Sequence, residues 1–115
     1  MTAPAIAVLV ATIFAGGAAG VLYLQRQRRK WLTNAHLLLA LTSAGLVGWL
    51  VATAPDGVPG PPGAVPVALL GFAVAAGWLG PRLARRGGVA RALLPLHVAS
   101  GLAGFLFFLA WGKGL

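Results

Sequence analysis

The stretch RALLPLHVASGLAGFLFFLAWG, from Arg91 to Gly112, decides the fold class, because it is apolar throughout beyond Arg91 and yet contains a histidine, His97. A helix crosses about 30 Å of hydrocarbon in ~20 residues at 1.5 Å per residue. Three other stretches have that length and character. The sequence therefore predicts an all-α integral membrane protein: one four-helix transmembrane domain over residues 1–115, with spans at about 4–24, 32–54, 65–83 and 92–111.

The composition agrees with a chain that lies almost wholly in lipid. Hydrophobic residues make up 59% of it and charged residues 9%, whereas about a quarter of the residues of a soluble domain are charged. The first apolar stretch is predicted to be a permanent helix, because a cleavable signal would have its basic segment before it. No nucleic-acid partner is expected, since the net charge of +8 comes mainly from two short clusters beside the spans.

These two clusters predict the orientation in the membrane. They comprise Arg26, Arg28, Arg29 and Lys30 after the first span, and Arg82, Arg85, Arg86 and Arg91 before the fourth. Cations in short loops stay on the cytoplasmic side, so both termini and the proline- and glycine-rich loop around Asp56 are predicted to lie outside. The expected location is a bacterial inner membrane with the arginine-rich loops in the cytoplasm.

An approximate duplication is also predicted, with halves at about residues 1–57 and 58–115 that each form a helical hairpin of the bundle. AAGVLYLQRQRR at 18–29 and AAGWLGPRLARR at 75–86 share six of twelve residues at an offset of 57. The next histidine follows after seven residues in the first half and eleven in the second. The second half is therefore expected to contain about one extra turn of linker, in which Gly87 and Gly88 break the helix.

The two histidines are the candidate functional residues, because ionisable groups inside a membrane span are costly and usually functional. His36 lies six residues after Lys30, and His97 lies six after Arg91, which predicts equal depth on parallel spans. Residues three, four and seven positions further along share a helix face with each histidine. They are mostly small and are predicted to border a slot that neighbouring protein or a flat ring fills: Ala40, Ser43, Ser100, Gly101 and Gly104.

Four spans with paired histidines, in NAHLLLALTSAG and LPLHVASGLAG, resemble the b-type membrane cytochromes that bind haem inside a four-helix bundle. The resemblance implies one haem b between the second and fourth helices near the cytoplasmic side, with His36 and His97 as its axial metal ligands. It implies an electron-transfer protein or subunit in a lipid bilayer, with quinone or other subunits of a redox complex as partners. Two histidines suffice for one such haem, whereas many of these cytochromes carry two haems.

Other interpretations of the histidines remain open. Each one taken separately also fits a residue that bonds a neighbouring helix. Chlorophyll or bacteriochlorophyll is an alternative cofactor, since its magnesium also takes an axial histidine. The alternative function is a structural or pigment-binding accessory subunit of a larger respiratory or photosynthetic complex, or a homo-oligomer.

The absent residue types exclude several function classes. The chain has no cysteine and no glutamate, and its single acid, Asp56, lies in the outer loop. A proton-coupled exporter lacks its intramembrane carboxylate, and a hydrolytic triad lacks the acid that orients its histidine. No catalytic residue is predicted, so an electron carrier or accessory subunit is expected rather than an enzyme.

Overall fold

A computed structural model describes residues 2–27, 29–83 and 89–115, with side chains from 92 onward in the last segment. Over these residues the chain is all-helical. The helices are α1 (Thr2–Leu24), α2 (Lys30–Thr53), α3 (Ala64–Leu83) and α4 (Val89–Gly112). All four are long and apolar enough to cross a membrane. The four predicted spans are thereby confirmed as helices, with each end within three residues of its predicted position, while the orientation of the termini stays a prediction.

The chain divides into two compact units, Met1–Leu46 and Val47–Leu115. The first unit contains α1 and most of α2, which pack against each other as antiparallel helices; we call α1 with residues 30–46 the first hairpin. The second unit contains the end of α2, the following loop, α3 and α4, and we call α3 with α4 the second hairpin. Each predicted half therefore supplies one helical hairpin.

Six pairs of buried positions in the helices are separated by 61 residues. The corresponding pairs, both members buried, are Ala5 and Pro66, Leu9 and Leu70, Thr12 and Ala73, Ser43 and Gly104, Val47 and Phe108, and Leu50 and Trp111. The sequence match at an offset of 57 is therefore about one turn out of register with these buried positions, while the expected extra turn of linker stays a prediction. Gly87 and Gly88, expected to break the helix, lie outside the described residues.

The connection between α2 and α3 is non-helical over residues 54–63, as its proline and glycine content predicts. Two of its glycines have left-handed backbone angles, with φ of +79° at Gly57 and +106° at Gly60. Residues with a side chain are disfavoured in this region because Cβ approaches the following carbonyl. These glycines therefore allow the turn that leads from α2 into α3.

A change of Gly57 to alanine should lower the free energy of unfolding by about 1–2 kcal/mol through backbone strain alone. No atom lies within 4 Å of the position that a Cβ would take there. Gly45→Ala in α2 is the matched control, because it also meets nothing within 4 Å but should raise stability by about 0.5–1 kcal/mol through helix propensity. Thermal unfolding in detergent measures both changes. A change in stability of the same sign in the two variants would contradict the prediction.

Candidate functional site

His36 contacts the facing helix of its own hairpin. Its Nδ1 lies 3.0 Å from the backbone carbonyl oxygen of Thr12 in α1. A carbonyl oxygen can only accept a hydrogen bond, so Nδ1 must carry the proton and donate it. The half-buried imidazole is thus bonded to the peptide backbone of the neighbouring helix.

Gly16 is the residue that lets this imidazole reach the backbone. A Cβ at Gly16 would lie 2.7 Å from Cε1 of His36, 3.2 Å from Nδ1 and 3.3 Å from Nε2. In an α-helix the carbonyl of residue 12 accepts from the N–H of residue 16, so the glycine lies beside the carbonyl that the histidine uses. We call the Thr12 carbonyl with Gly16 the first notch.

The second hairpin repeats the arrangement. His97 Nδ1 lies 2.6 Å from the backbone oxygen of Ala73. A Cβ at Gly77 would lie 2.6 Å from Cε1 of His97, 2.7 Å from Nδ1 and 3.3 Å from Nε2. We call the Ala73 carbonyl with Gly77 the second notch. Its acceptor, its glycine and its histidine each lie 61 residues beyond their counterparts in the first hairpin, so the two histidines occupy equivalent positions in their hairpins.

The residue seven positions beyond each histidine differs in chemistry between the hairpins. Ser43 is buried and its Oγ lies 2.9 Å from Oγ1 of Thr12. Each hydroxyl also lies 2.7 Å from a carbonyl of its own helix, Thr12 at Val8 and Ser43 at Leu39. Two hydroxyl protons cannot make all three bonds at once, so at most one hydroxyl can donate to its own backbone carbonyl while the bond between the helices is kept.

Thr12→Val and Ser43→Ala should show a coupling of about 0.6 kcal/mol, and at most about 1.7 kcal/mol, in a double-mutant cycle on unfolding. Thr12→Val removes the hydroxyl but keeps the backbone carbonyl that His36 uses. Thr42 is the control position, because its hydroxyl bonds the Leu38 carbonyl of its own helix at an exposed site. Additive effects of the Thr12 and Ser43 substitutions, with no coupling, would show that the hydroxyl pair does not join the helices.

In the second hairpin, α3 lies against the small residues of α4. A Cβ on Gly104 would lie 2.9 Å from Cδ2 of Leu70, and one on Gly101 would lie 3.7 Å from the Cβ of Ala73. The sequence predicts a slot here that either neighbouring protein or a flat ring fills. At both of these glycines, the side chains of α3 lie beside the slot.

The other predicted site residues are placed as follows. Ser100 is buried, and its hydroxyl donates to the carbonyl of Leu96 at 2.6 Å. The carbonyl of His97 lies 3.2 Å from the same hydroxyl oxygen. Ala40 is half-buried. A cofactor contact by any of the predicted small residues stays a prediction, as does the facing arrangement of the two imidazoles.

Sequence reasoning found the histidines but missed the residues that hold them. In the sequence, Gly16 and Gly77 are two of many small residues in their helices, and no residue type marks the carbonyls of Thr12 and Ala73 as acceptors. One signal was present in the sequence: each glycine precedes its histidine by 20 residues. That spacing is the same in both hairpins and would have paired each glycine with its histidine.

No group of three or more His, Cys, Asp or Glu side chains that could hold a metal ion occurs among residues 2–27, 29–83 and 89–115. A macrocycle has a smaller requirement, because its ring nitrogens supply four ligands and the protein adds only axial ones. No family model, curated protein or solved structure matches this chain.

Proposed function

We propose that this chain is a small b-type cytochrome-like membrane protein or subunit that carries electrons, with His36 and His97 as the axial ligands of one haem b. The observation that carries the proposal is the repeated hydrogen bond from Nδ1 of each histidine to a backbone carbonyl. Metal-bound histidines almost always donate their second ring N–H to a carbonyl, carboxylate or water. Two histidines in two membrane helices share that feature here.

The donor chemistry fits such a group. With the proton on Nδ1, the neutral imidazole has its lone pair on Nε2, which is a usual axial nitrogen for haem iron. A haem would supply one-electron transfer between its ferric and ferrous states. The carbonyls of Thr12 and Ala73 would raise the basicity of the two rings and keep them from rotating. The apolar helices would limit access of water to the site.

The setting of this proposal follows from the sequence. Four apolar helices support a lipid bilayer as the surroundings of the chain. The arginine-rich connections favour a bacterial inner membrane with these loops in the cytoplasm, and so a haem near the cytoplasmic side. Electrons would pass to quinone or to another subunit of a redox complex.

The absorption spectrum of the detergent-purified protein tests the proposal, taken oxidised and then after reduction with dithionite. We expect a Soret band that sharpens on reduction and split visible bands from a low-spin haem. A protein that stays colourless after haem is supplied during expression would overturn the proposal. Long-wavelength absorption with an extractable chlorin would also overturn it, and would identify a pigment-binding subunit.

A second candidate function is a structural or pigment-binding accessory subunit of a larger respiratory or photosynthetic complex. It is favoured by the same hydrogen bonds, because each one already joins two helices of a hairpin without any cofactor. Interhelical hydrogen bonds of this kind contribute about 0.6 kcal/mol each in a membrane protein. The two functions differ in the role of Nε2: the haem protein needs Nε2 of each ring as a ligand, whereas the accessory subunit needs only the hydrogen bond from Nδ1.

A further inference from the structure

We infer that Gly16 and Gly77 are positioning residues that hold His36 and His97 in the Nδ1–H form and orient both rings before any cofactor binds. The inference rests on the proposed function for its purpose. The position of each imidazole, and the nitrogen that carries its proton, are expected to be the same in the haem-free chain. It adds to the two ligands a pair of residues that never touch the metal.

The geometry at each glycine leaves no room for a larger residue. Real Cβ atoms essentially never lie within 3.0 Å of another heavy atom, yet a Cβ at Gly16 or Gly77 would lie 2.7 or 2.6 Å from Cε1 of the facing imidazole. A methyl group would therefore push the ring off the helix and lengthen the bond from Nδ1 to the carbonyl. The absence of a side chain is what keeps the imidazole at hydrogen-bond distance.

The comparison between the two hairpins separates this contact from general packing. Thr12 is replaced by Ala73 and Ser43 by Gly104, so the hydroxyl pair of the first hairpin has no counterpart in the second. The glycine, the carbonyl and the histidine are present in both, with the same atoms in contact. The imidazole contact is thus common to both hairpins, whereas the hydroxyl pair is not.

A fixed tautomer has a direct consequence for ligand binding. A neutral imidazole that exchanged its proton between Nδ1 and Nε2 would offer the basic nitrogen at Nε2 for only part of the time. A carbonyl acceptor at Nδ1 removes the Nε2–H form, because that form would place two lone pairs against each other. Loss of such an outer partner typically weakens metal binding by about 10- to 100-fold.

Imidazole ¹⁵N NMR on the histidine-labelled, haem-free protein in detergent tests the first half of the inference, at about pH 8 where free imidazole is neutral. We expect both wild-type rings to carry the proton on Nδ1. Gly16→Ala should shift only the His36 signals toward a mixture of tautomers, and Gly77→Ala only those of His97. Wild-type rings protonated at Nε2 would overturn the inference without requiring any variant to fold.

Haem titration of the same proteins tests the second half. Gly16→Ala and Gly77→Ala should each weaken haem binding by about 10- to 100-fold. The matched controls are Gly20→Ala and Gly71→Ala, since neither position has an atom within 4 Å of its Cβ site. Haem affinity in the two notch variants equal to that of the controls would overturn the positioning role. Rings protonated at Nδ1 in a protein that binds no haem would instead overturn the proposed function alone.

Discussion

Replacing His36 or His97 with asparagine should abolish low-spin haem binding and leave the helical hairpins close to their original stability. The side-chain nitrogen of asparagine takes about the place of Nδ1 and can donate to the same carbonyl, Thr12 in one hairpin and Ala73 in the other. It has no atom in place of Nε2, so the ligand is lost while the contact between the helices is kept. The reduced-minus-oxidised spectrum measures the first effect, and thermal unfolding measures the second.

Three further variants complete this experiment. His36→Ala and His97→Ala remove both the ligand and the hydrogen bond, so they should lose haem and also unfold at lower temperature. Thr42→Asn introduces the same amide on the exposed face of α2 and should leave the spectrum unchanged. An asparagine variant that retained the wild-type spectrum would exclude that histidine as a ligand. If the wild type binds no haem and its asparagine variants still assemble normally into a larger membrane complex, the protein would instead be an accessory subunit.

Gly16→Leu and Gly77→Leu should each destabilise their own hairpin by about 3 kcal/mol. The leucine would occupy the space of the imidazole ring, and the displaced histidine would lose its bond to the backbone. Gly20→Leu and Gly71→Leu introduce the same side chain where no atom lies within 4 Å of the Cβ site, so they should change stability far less. Denaturant titration of the helical signal in detergent measures all four proteins.

A double-mutant cycle identifies the histidine as the cause. In a His97→Ala background, Gly77→Leu should cost well under half of its effect on the wild type, because the ring that clashes is gone. The same cycle applies to His36 and Gly16 in the first hairpin. Purely additive losses would show that the leucine clashes with something other than the imidazole.

Hydropathy alone was sufficient to predict the helices. Four stretches of about twenty apolar residues have no alternative to helix in lipid, since every backbone group must be bonded within its own segment. Their ends followed from the arginine-rich and proline-rich connections. The membrane orientation and the cofactor depend on lipid and ligand, and both stay predictions.

The partners of the histidines could not be predicted in the same way. Each imidazole bonds a peptide carbonyl, a group that every residue has, so no residue type in the sequence marks the acceptor. The match at an offset of 57 rests on Ala-Ala-Gly, one leucine and a pair of arginines, and it places Gly20 opposite Gly77. The contacts place Gly16 there instead, one turn earlier in a helix rich in alanine and glycine.

An acceptor that belongs to the main chain cannot be deleted by a point mutation. Residue 73 is alanine and residue 12 is threonine, yet both provide the same oxygen to a histidine, so these positions tolerate sequence drift that would destroy a side-chain acceptor. Only a glycine and a histidine per hairpin must be encoded. The same pair could therefore be transferred to an unrelated antiparallel helix pair, with the glycine 20 residues before the histidine, to build an imidazole of defined protonation within a membrane.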